Sequence, residues 1–220
     1  MFIGHFAPAF AARALTSEAP RLGTLFVAAQ LVDIAFFLFV LGGIEHLRIE
    51  PGATAMNPLD LYHYPYTHSL LGTAAWALGF ASVTWLVLRN GVAATWTAIV
   101  VLSHWLLDFA SHRPDLTLAG GAERLGMGLW NYPVAAICVE LAIFAAALWW
   151  YARRTHGPPL PVLVLGVSMV VMQAFNWFGP EPETFSIGIP LTGLVAFGLL
   201  AVLAYWVGST RRHRGEKGPG

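Results

Sequence analysis

Apolar residues run along this chain in long continuous blocks, and the polar positions collect between them. Six blocks approach the ~20 residues that a helix needs to cross a ~30 Å hydrocarbon core at ~1.5 Å per residue. They are Leu22–Leu47, Leu70–Leu88, Val92–Ala110, Trp130–Tyr151, Leu160–Phe178 and Ile187–Gly208. A barrel would need many short segments alternating with a period of two, which this sequence lacks. The pattern predicts an all-α, polytopic transmembrane helical bundle: one domain over residues 1–210 and a basic tail over 211–220. The shorter stretch Met1–Ala12 has no basic residue before it and is followed by Arg13, so it does not read as a cleavable signal. The first long span is then expected to act as the insertion signal.

Composition agrees with the pattern. The 220 residues are 57% hydrophobic and only 11% charged, where a soluble domain carries about a quarter charged residues. Mean hydropathy is +0.63. The formal net charge of zero gives no sign of nucleic-acid binding, and the one cysteine allows no intrachain disulfide. If the C-terminus is cytoplasmic, six spans put Arg13, Arg21, Arg89, Arg153, Arg154, Arg211, Arg212, Arg214 and Lys217 inside, and only Arg48, Arg113 and Arg124 outside. That asymmetry predicts both termini in the cytoplasm of an inner (plasma) membrane. The loops 48–69, 111–129 and 179–187 then face outward, and the Gly-rich 111–129 is expected to fold over whatever lies beneath it.

Polar residues inside the spans are few, and an ionisable group at the bilayer centre costs ~2.5–3.5 kcal/mol on insertion scales. Asp33 lies near mid-depth in the first span with Gln30 one turn earlier; Glu140 is mid-way along the fourth; Gln173 and Asn176 lie toward the outer end of the fifth. In "SHWLLDFASHRPD", His104, Asp108 and His112 recur every four residues and share one helix face. Pro114 suggests that His112, Arg113 and Asp115 form a solvated helix end. "LYHYPYTHSLLG" places His68 at the start of the second span, with His63 in a tyrosine-rich loop before it. His5 reaches the same depth if residues 3–15 form a half-helix starting about 15 Å inside the membrane, with Pro8 in its first turn. Gly42–Gly43, Gly72 and Gly79 read as points of close helix approach.

His5, Asp33, His68, His104 and Asp108 can therefore converge on one outward-opening site. Imidazole and carboxylate suit zinc, and manganese or iron where oxygen donors are plentiful. Glu140 is open to three readings: a further ligand, a general base or a proton carrier. Ser69 and Ser103 each adjoin a histidine in sequence, but neighbours at i, i+1 do not face each other on a helix, so a serine nucleophile is the weaker option.

"GHF" at 4–6, the first-span Asp33, "HYPYTHS" at 63–69 and "SHWLLD" at 103–108 resemble the motif pattern of the YdjM-like family of inner-membrane metal-dependent hydrolases. In that family H-R-G-x-T-H-S and S-H-x-x-x-D are prominent. The resemblance covers roughly the first half of the chain and departs from the family in two places. Ala35 stands where a second acid often follows Asp33, and Tyr64–Pro65 replaces Arg-Gly, so one ion is expected rather than two. The resemblance implies a hydrolase. On this reading a zinc ion sits among His5, Asp33, His68, His104 and Asp108, with Asp108 or Glu140 as general base and His63 as a gate or supporting residue. The burial of the site suits a membrane lipid or a lipid-linked substrate with an ester, amide or phosphoester bond. The alternatives are a proton-coupled transporter or channel that uses Asp33, Glu140 and the histidines as a relay, although no internal repeat supports it, and a scaffold whose polar residues merely tie helices together.

Overall fold

In a computed structural model, which describes residues 1–215, the chain is an all-α bundle. A 3-10 turn, Ile3–Phe6, leads into α1 (Ala7–Leu15). Six longer helices follow: α2 (Leu22–Leu41), α3 (Leu70–Leu88), α4 (Gly91–Ser111), α5 (Pro133–Arg154), α6 (Pro159–Phe178) and α7 (Gly188–Thr210). All six are long and apolar enough to cross a membrane. The remaining regular structure among the described residues is a hairpin of β1 (His46–Ile49) with β2 (Leu59–His63), a second 3-10 turn, Leu129–Asn131, and a short pairing of β3 (Thr155–His156) with β4 (Arg212–His213).

The half-helix is the centre of the molecule. Along Ala7–Leu15 the small residues Ala7, Ala9, Ala12 and Ala14 are buried and bring the backbone close to α5 and α2. Between them the Phe10 ring meets Phe26, Phe144 and Tyr151 at centroid distances of 5.2, 6.4 and 5.5 Å. Pro8 falls in the first turn, where its missing N–H costs nothing. α2 then packs on α7, close enough that a Cβ on Gly23 would lie 2.9 Å from the Tyr205 backbone.

The first span ends six residues before the expected Leu47. Gly43 has a φ of +68°, and the chain leaves the helix there. Gly42 and Gly43 therefore terminate α2 and mediate no close helix approach. Gly79 has no neighbour within 4 Å of an added Cβ either, whereas at Gly72 that atom would lie 2.5 Å from the Tyr66 carbonyl oxygen. The segment expected as loop 48–69 contains the hairpin, and Asp60 on β2 faces Arg48 on β1 in its register. The loop 111–129 folds over the start of α3: the N–H groups of Leu70 and Leu71 donate to the carbonyls of Thr117 and Leu118 at 3.0 and 2.9 Å.

At the opposite end the first residue of the basic segment is built into the fold, while Arg212 and Arg214 are exposed. Arg211 is buried and donates to the carbonyls of Ala152, Thr155, Gly157 and Pro158 and to the Thr155 hydroxyl. His213 Nε2 lies 3.2 Å from the Ala14 carbonyl, so β4 sits beside the end of α1. Lys217 and the rest of the expected tail past 215 lie outside the described residues.

Candidate metal centre

Four elements bring ligand-type side chains to one point. α4 supplies His104 and Asp108 from successive turns, and His112 caps its C-terminal end. α2 supplies Asp33, the 3-10 turn supplies His5, and His68 stands just before the Ser69 cap of α3. Asp108 lies at the middle and uses both oxygens. Its Oδ1 is 3.0 Å from His5 Nε2 and 3.6 Å from His112 Nε2. Its Oδ2 is 3.0 Å from His104 Nε2 and 3.7 Å from His68 Nε2. Asp33 Oδ1 closes the second face at 3.2 Å from His68 Nε2 and 3.5 Å from His104 Nε2. All six groups are buried except Asp33, whose side chain is 21% exposed.

The outer nitrogens fix which ring atom points inward. His104 Nδ1 lies 2.8 Å from the Ala29 carbonyl oxygen, which can only accept, so Nδ1 carries the hydrogen. His112 Nδ1 lies 3.1 Å from the Asp115 carboxylate, with the same consequence. His68 Nδ1 is 2.8 Å from Thr67 Oγ1, and that hydroxyl donates its own hydrogen to Glu45 Oε2 at 2.6 Å. Thr67 therefore accepts from His68. Three imidazoles are thus held by an Nδ1–H with Nε2 turned toward carboxylate oxygens, an arrangement that either a proton on Nε2 or a bound cation satisfies. Nδ1–H anchored to a carbonyl or carboxylate is how proteins orient metal-ligating histidines, and the Met1 ammonium lies 3.5 Å from Asp108 Oδ1. His5 Nε2, His104 Nε2 and Asp108 Oδ2 are buried without a hydrogen-bond partner. Two sets, His5–His104–Asp108 and Asp33–His68–His104, each hold their donor atoms within 4.8 Å of one another. The donor set fits a divalent ion.

Polar residues elsewhere in the spans have a different job. Glu140 Oε1 accepts from the backbone N–H groups of Phe2 and Gly4 at 2.6 and 3.0 Å. Gln173 Oε1 accepts from Ile3 N–H at 3.1 Å, and Gln30 Nε2 donates to the Phe2 carbonyl at 3.3 Å. Irregular backbone at membrane depth must find partners, and these three side chains provide them for the turn that carries His5. Glu140 thus positions His5 through Oε1, and its side chain also lines the inner cavity beside the cluster. His63 is exposed on β2 between His46 and Tyr66 and lines the outer cavity that adjoins His68; among the described residues it forms no hydrogen bond or ion pair with the cluster. Ser69 caps α3 and donates to the Pro65 carbonyl, while Ser103 bonds the Val100 carbonyl.

His112, expected as a solvated helix end, is buried with its ring 4.5 Å from that of Trp130. The four-residue recurrence already indicated this position, but Pro114 outweighed it. Glu45 was unmarked because it lay inside the overlong first span; an acid within an apolar run was the available signal. Asp115 accepts from the Tyr64 hydroxyl at 2.7 Å and from Arg113 Nε at 3.3 Å. Burial pushes the Asp115 carboxyl up, but His112, Tyr64 and Arg113 outweigh it and hold it below the ordinary carboxylate value. Burial and the Asp115 charge push the Tyr64 phenol far above its ordinary value, so Tyr64 is a permanent donor.

Two cavities meet at His68 and Leu61, which line both. The inner one, about 140 Å³, holds the cluster and is otherwise largely apolar, with Phe36, Phe37, Met56, Trp130 and Trp177 in its wall. The outer one, about 430 Å³, is lined by charged and tyrosine side chains of the hairpin and the 111–129 loop. No protein-family model, curated protein or solved structure matches the chain.

Proposed function

We propose that this membrane protein is a metal-dependent hydrolase of the YdjM-like kind, acting on a lipid or lipid-linked ester, amide or phosphoester. The observation that carries the reading is the convergence of four imidazole Nε2 atoms on two carboxylates, with three of the rings anchored through Nδ1. Asp33, His68, His104 and Asp108 Oδ2 would hold the ion, and zinc suits this mixture of nitrogen and oxygen donors. When bound, such an ion supplies Lewis-acid polarisation and an acidified water. The protein's own residues supply the rest. His112 is placed to take a proton at Nε2 while Asp115, which lines the outer cavity, holds its Nδ1–H and stabilises the charge that the ring then carries. Asp108 holds His5 and His112 on its other oxygen, and the apolar inner wall limits water around the reacting bond.

The reading includes both termini in the cytoplasm of the inner membrane and a site open to the outer side. It is supported by the gathering of Arg13, Arg153, Arg154 and Arg211–Arg212 around the end of the bundle that carries β3 and β4. In a Cys138→Ser background, a Tyr62→Cys variant should react with an impermeant maleimide added outside intact cells. Reaction only after permeabilisation overturns the orientation.

Metal analysis tests the chemistry. Detergent-purified protein should carry tightly bound zinc that His68→Ala and His104→Ala variants lose. Folded protein that binds no divalent ion sinks the hydrolase reading and leaves the proton-relay alternative.

A further inference from the structure

We propose that the outer cavity binds the phosphate group of an amphiphilic substrate, with the phosphate on the hairpin side of His68 and the apolar part in the inner cavity. This rests on the hydrolase reading for its chemical consequence, since it narrows the substrate to a phosphate-bearing lipid; the binding itself is independent of turnover.

Three guanidiniums, those of Arg48, Arg113 and Arg124, line this one cavity, against two carboxylates, Asp60 and Asp115. These are the three basic residues that lie apart from the arginine-rich end of the bundle. A surface ion pair alone would mean little, but here the carboxylates act as braces. Asp60 is 4% exposed and uses both oxygens, Oδ2 accepting from Arg48 Nε at 2.7 Å and Oδ1 from Arg113 Nη2. Asp115 accepts from Arg113 Nε, and the Ala53 carbonyl from Arg113 Nη1. Two arginines from different segments are thereby fixed side by side. Arg48 lies over the Tyr62 ring at 5.4 Å, with the exposed Glu50 carboxylate 3.6 Å from Nε, and its hydrogen bond is made through Nε, so among the described residues its two Nη groups have no hydrogen-bond partner. Arg124 is tied through Nη1 to the carbonyls of Gly121 and Glu123 and keeps its other nitrogens uncommitted.

Planar guanidiniums with unspent N–H groups match the several oxygens of a phosphate. The lining retains a net positive charge, as three arginines face two acids, and a volume of about 430 Å³ lies in the usual range for a small-ligand site. Polarity changes sharply at the shared wall of His68 and Leu61, from arginine and tyrosine outside to phenylalanine and tryptophan inside. A molecule with one anionic and one apolar end is seated by that change, and the junction between its ends falls at the cluster. A free phosphate compound would use the outer cavity alone.

The test compares ligands that differ only in the phosphate. Wild-type protein in detergent, stripped of metal, is titrated with dioleoyl phosphatidic acid, with dioleoylglycerol and with glycerol 3-phosphate. Phosphatidic acid should bind at least tenfold more tightly than either. An Arg48→Gln/Arg124→Gln variant should lose most of that preference. Arg124→Gln alone should lose part of it, its side chain touching only neighbouring carbonyls and its loss leaving the hairpin intact. Equal affinity for the two lipids, or a preference that survives the double substitution, overturns the proposal. Glycerol 3-phosphate binding as tightly as phosphatidic acid overturns the lipid half of it. Zinc content is read on a portion of each preparation set aside before the metal is stripped: selective lipid binding without zinc refutes the hydrolase reading and leaves this site standing, and zinc without selectivity does the reverse.

Discussion

Replacing Glu45 by Gln should weaken metal binding although Glu45 touches no ligand atom of the cluster. Glu45 is fully buried, with Oε1 accepting from the N–H groups of Tyr66 and Thr67 at 2.7 and 3.0 Å, and Oε2 accepting from the Thr67 hydroxyl at 2.6 Å. In Glu45→Gln the amide oxygen must keep the two backbone donors, which turns the NH2 toward Thr67. The Thr67 oxygen then accepts from that NH2, and its hydrogen turns to His68 Nδ1. His68 takes the other tautomer, with a hydrogen on Nε2 where a ligand needs a lone pair. Restoring the ligating tautomer leaves the Thr67 hydrogen without an acceptor, a buried loss of about 1–3 kcal/mol. At ~1.4 kcal/mol per decade that is roughly 5–150-fold in affinity, in the range of other losses of support to a ligating histidine. Zinc affinity would be measured by chelator competition on detergent-purified protein, with unfolding followed in parallel. Thr67→Ser, which keeps the hydroxyl, should bind nearly as the wild type, and Thr67→Val should resemble Glu45→Gln. A Glu45→Gln protein with wild-type zinc affinity would refute the relay and the tautomer assigned to His68.

Three further outcomes follow from the same bonding. Glu140→Ala strands the N–H groups of Phe2 and Gly4 and should cost about 2–5 kcal/mol of stability in thermal or denaturant unfolding, while Glu140→Gln keeps an acceptor and should cost about 1 kcal/mol; equal stability of the two variants would refute the positioning role of Glu140. Arg211→Ala removes the donor set that joins the end of α7 to the α5–α6 connection and should lower stability by about 2–4 kcal/mol, with faster hydrogen exchange at Thr155 and His156, and Arg211→Lys should rescue only part because one ammonium cannot span those acceptors. Tyr64→Phe removes a donor from Asp115, whose carboxyl is held below its ordinary value. A depressed carboxyl stabilises the fold above its unfolded value of about 3.9 and loses that contribution as pH falls, so the wild type should outlast Tyr64→Phe at neutral pH and the gap should close in acid. An unchanged gap at low pH would show that Asp115 is not the group affected.

The spans were legible because a helix that faces lipid must be apolar along its whole length, and that requirement leaves a mark no other fold imitates. The cluster was legible for a related reason. His104 and Asp108 sit on one face within a span, where a polar side chain is expensive, and it is their convergence with His5, Asp33 and His68, not any one of them alone, that points to a shared task. The same reasoning leaves Glu140 open among several roles. Depth and charge say that a buried acid has a partner, but they do not say that the partners include the unpaired backbone of a half-helix, which the bonds to Phe2 and Gly4 show. Thr67 and Asp115 are harder to read for the opposite reason. They lie at or beyond the span ends, where polar residues are ordinary, and their importance comes from what their neighbours touch. Spacing along a helix can reveal which atoms could face an ion. Which ring nitrogen is free to do so depends on carbonyls and carboxylates contributed by other segments: Ala29 lies 75 positions from His104, and Glu45 lies 22 from Thr67. The tautomers of the cluster are thus a property of the tertiary fold. That is why the Glu45 substitution, at a residue that touches no ligand atom, is the sharper probe of whether this site was built for a cation.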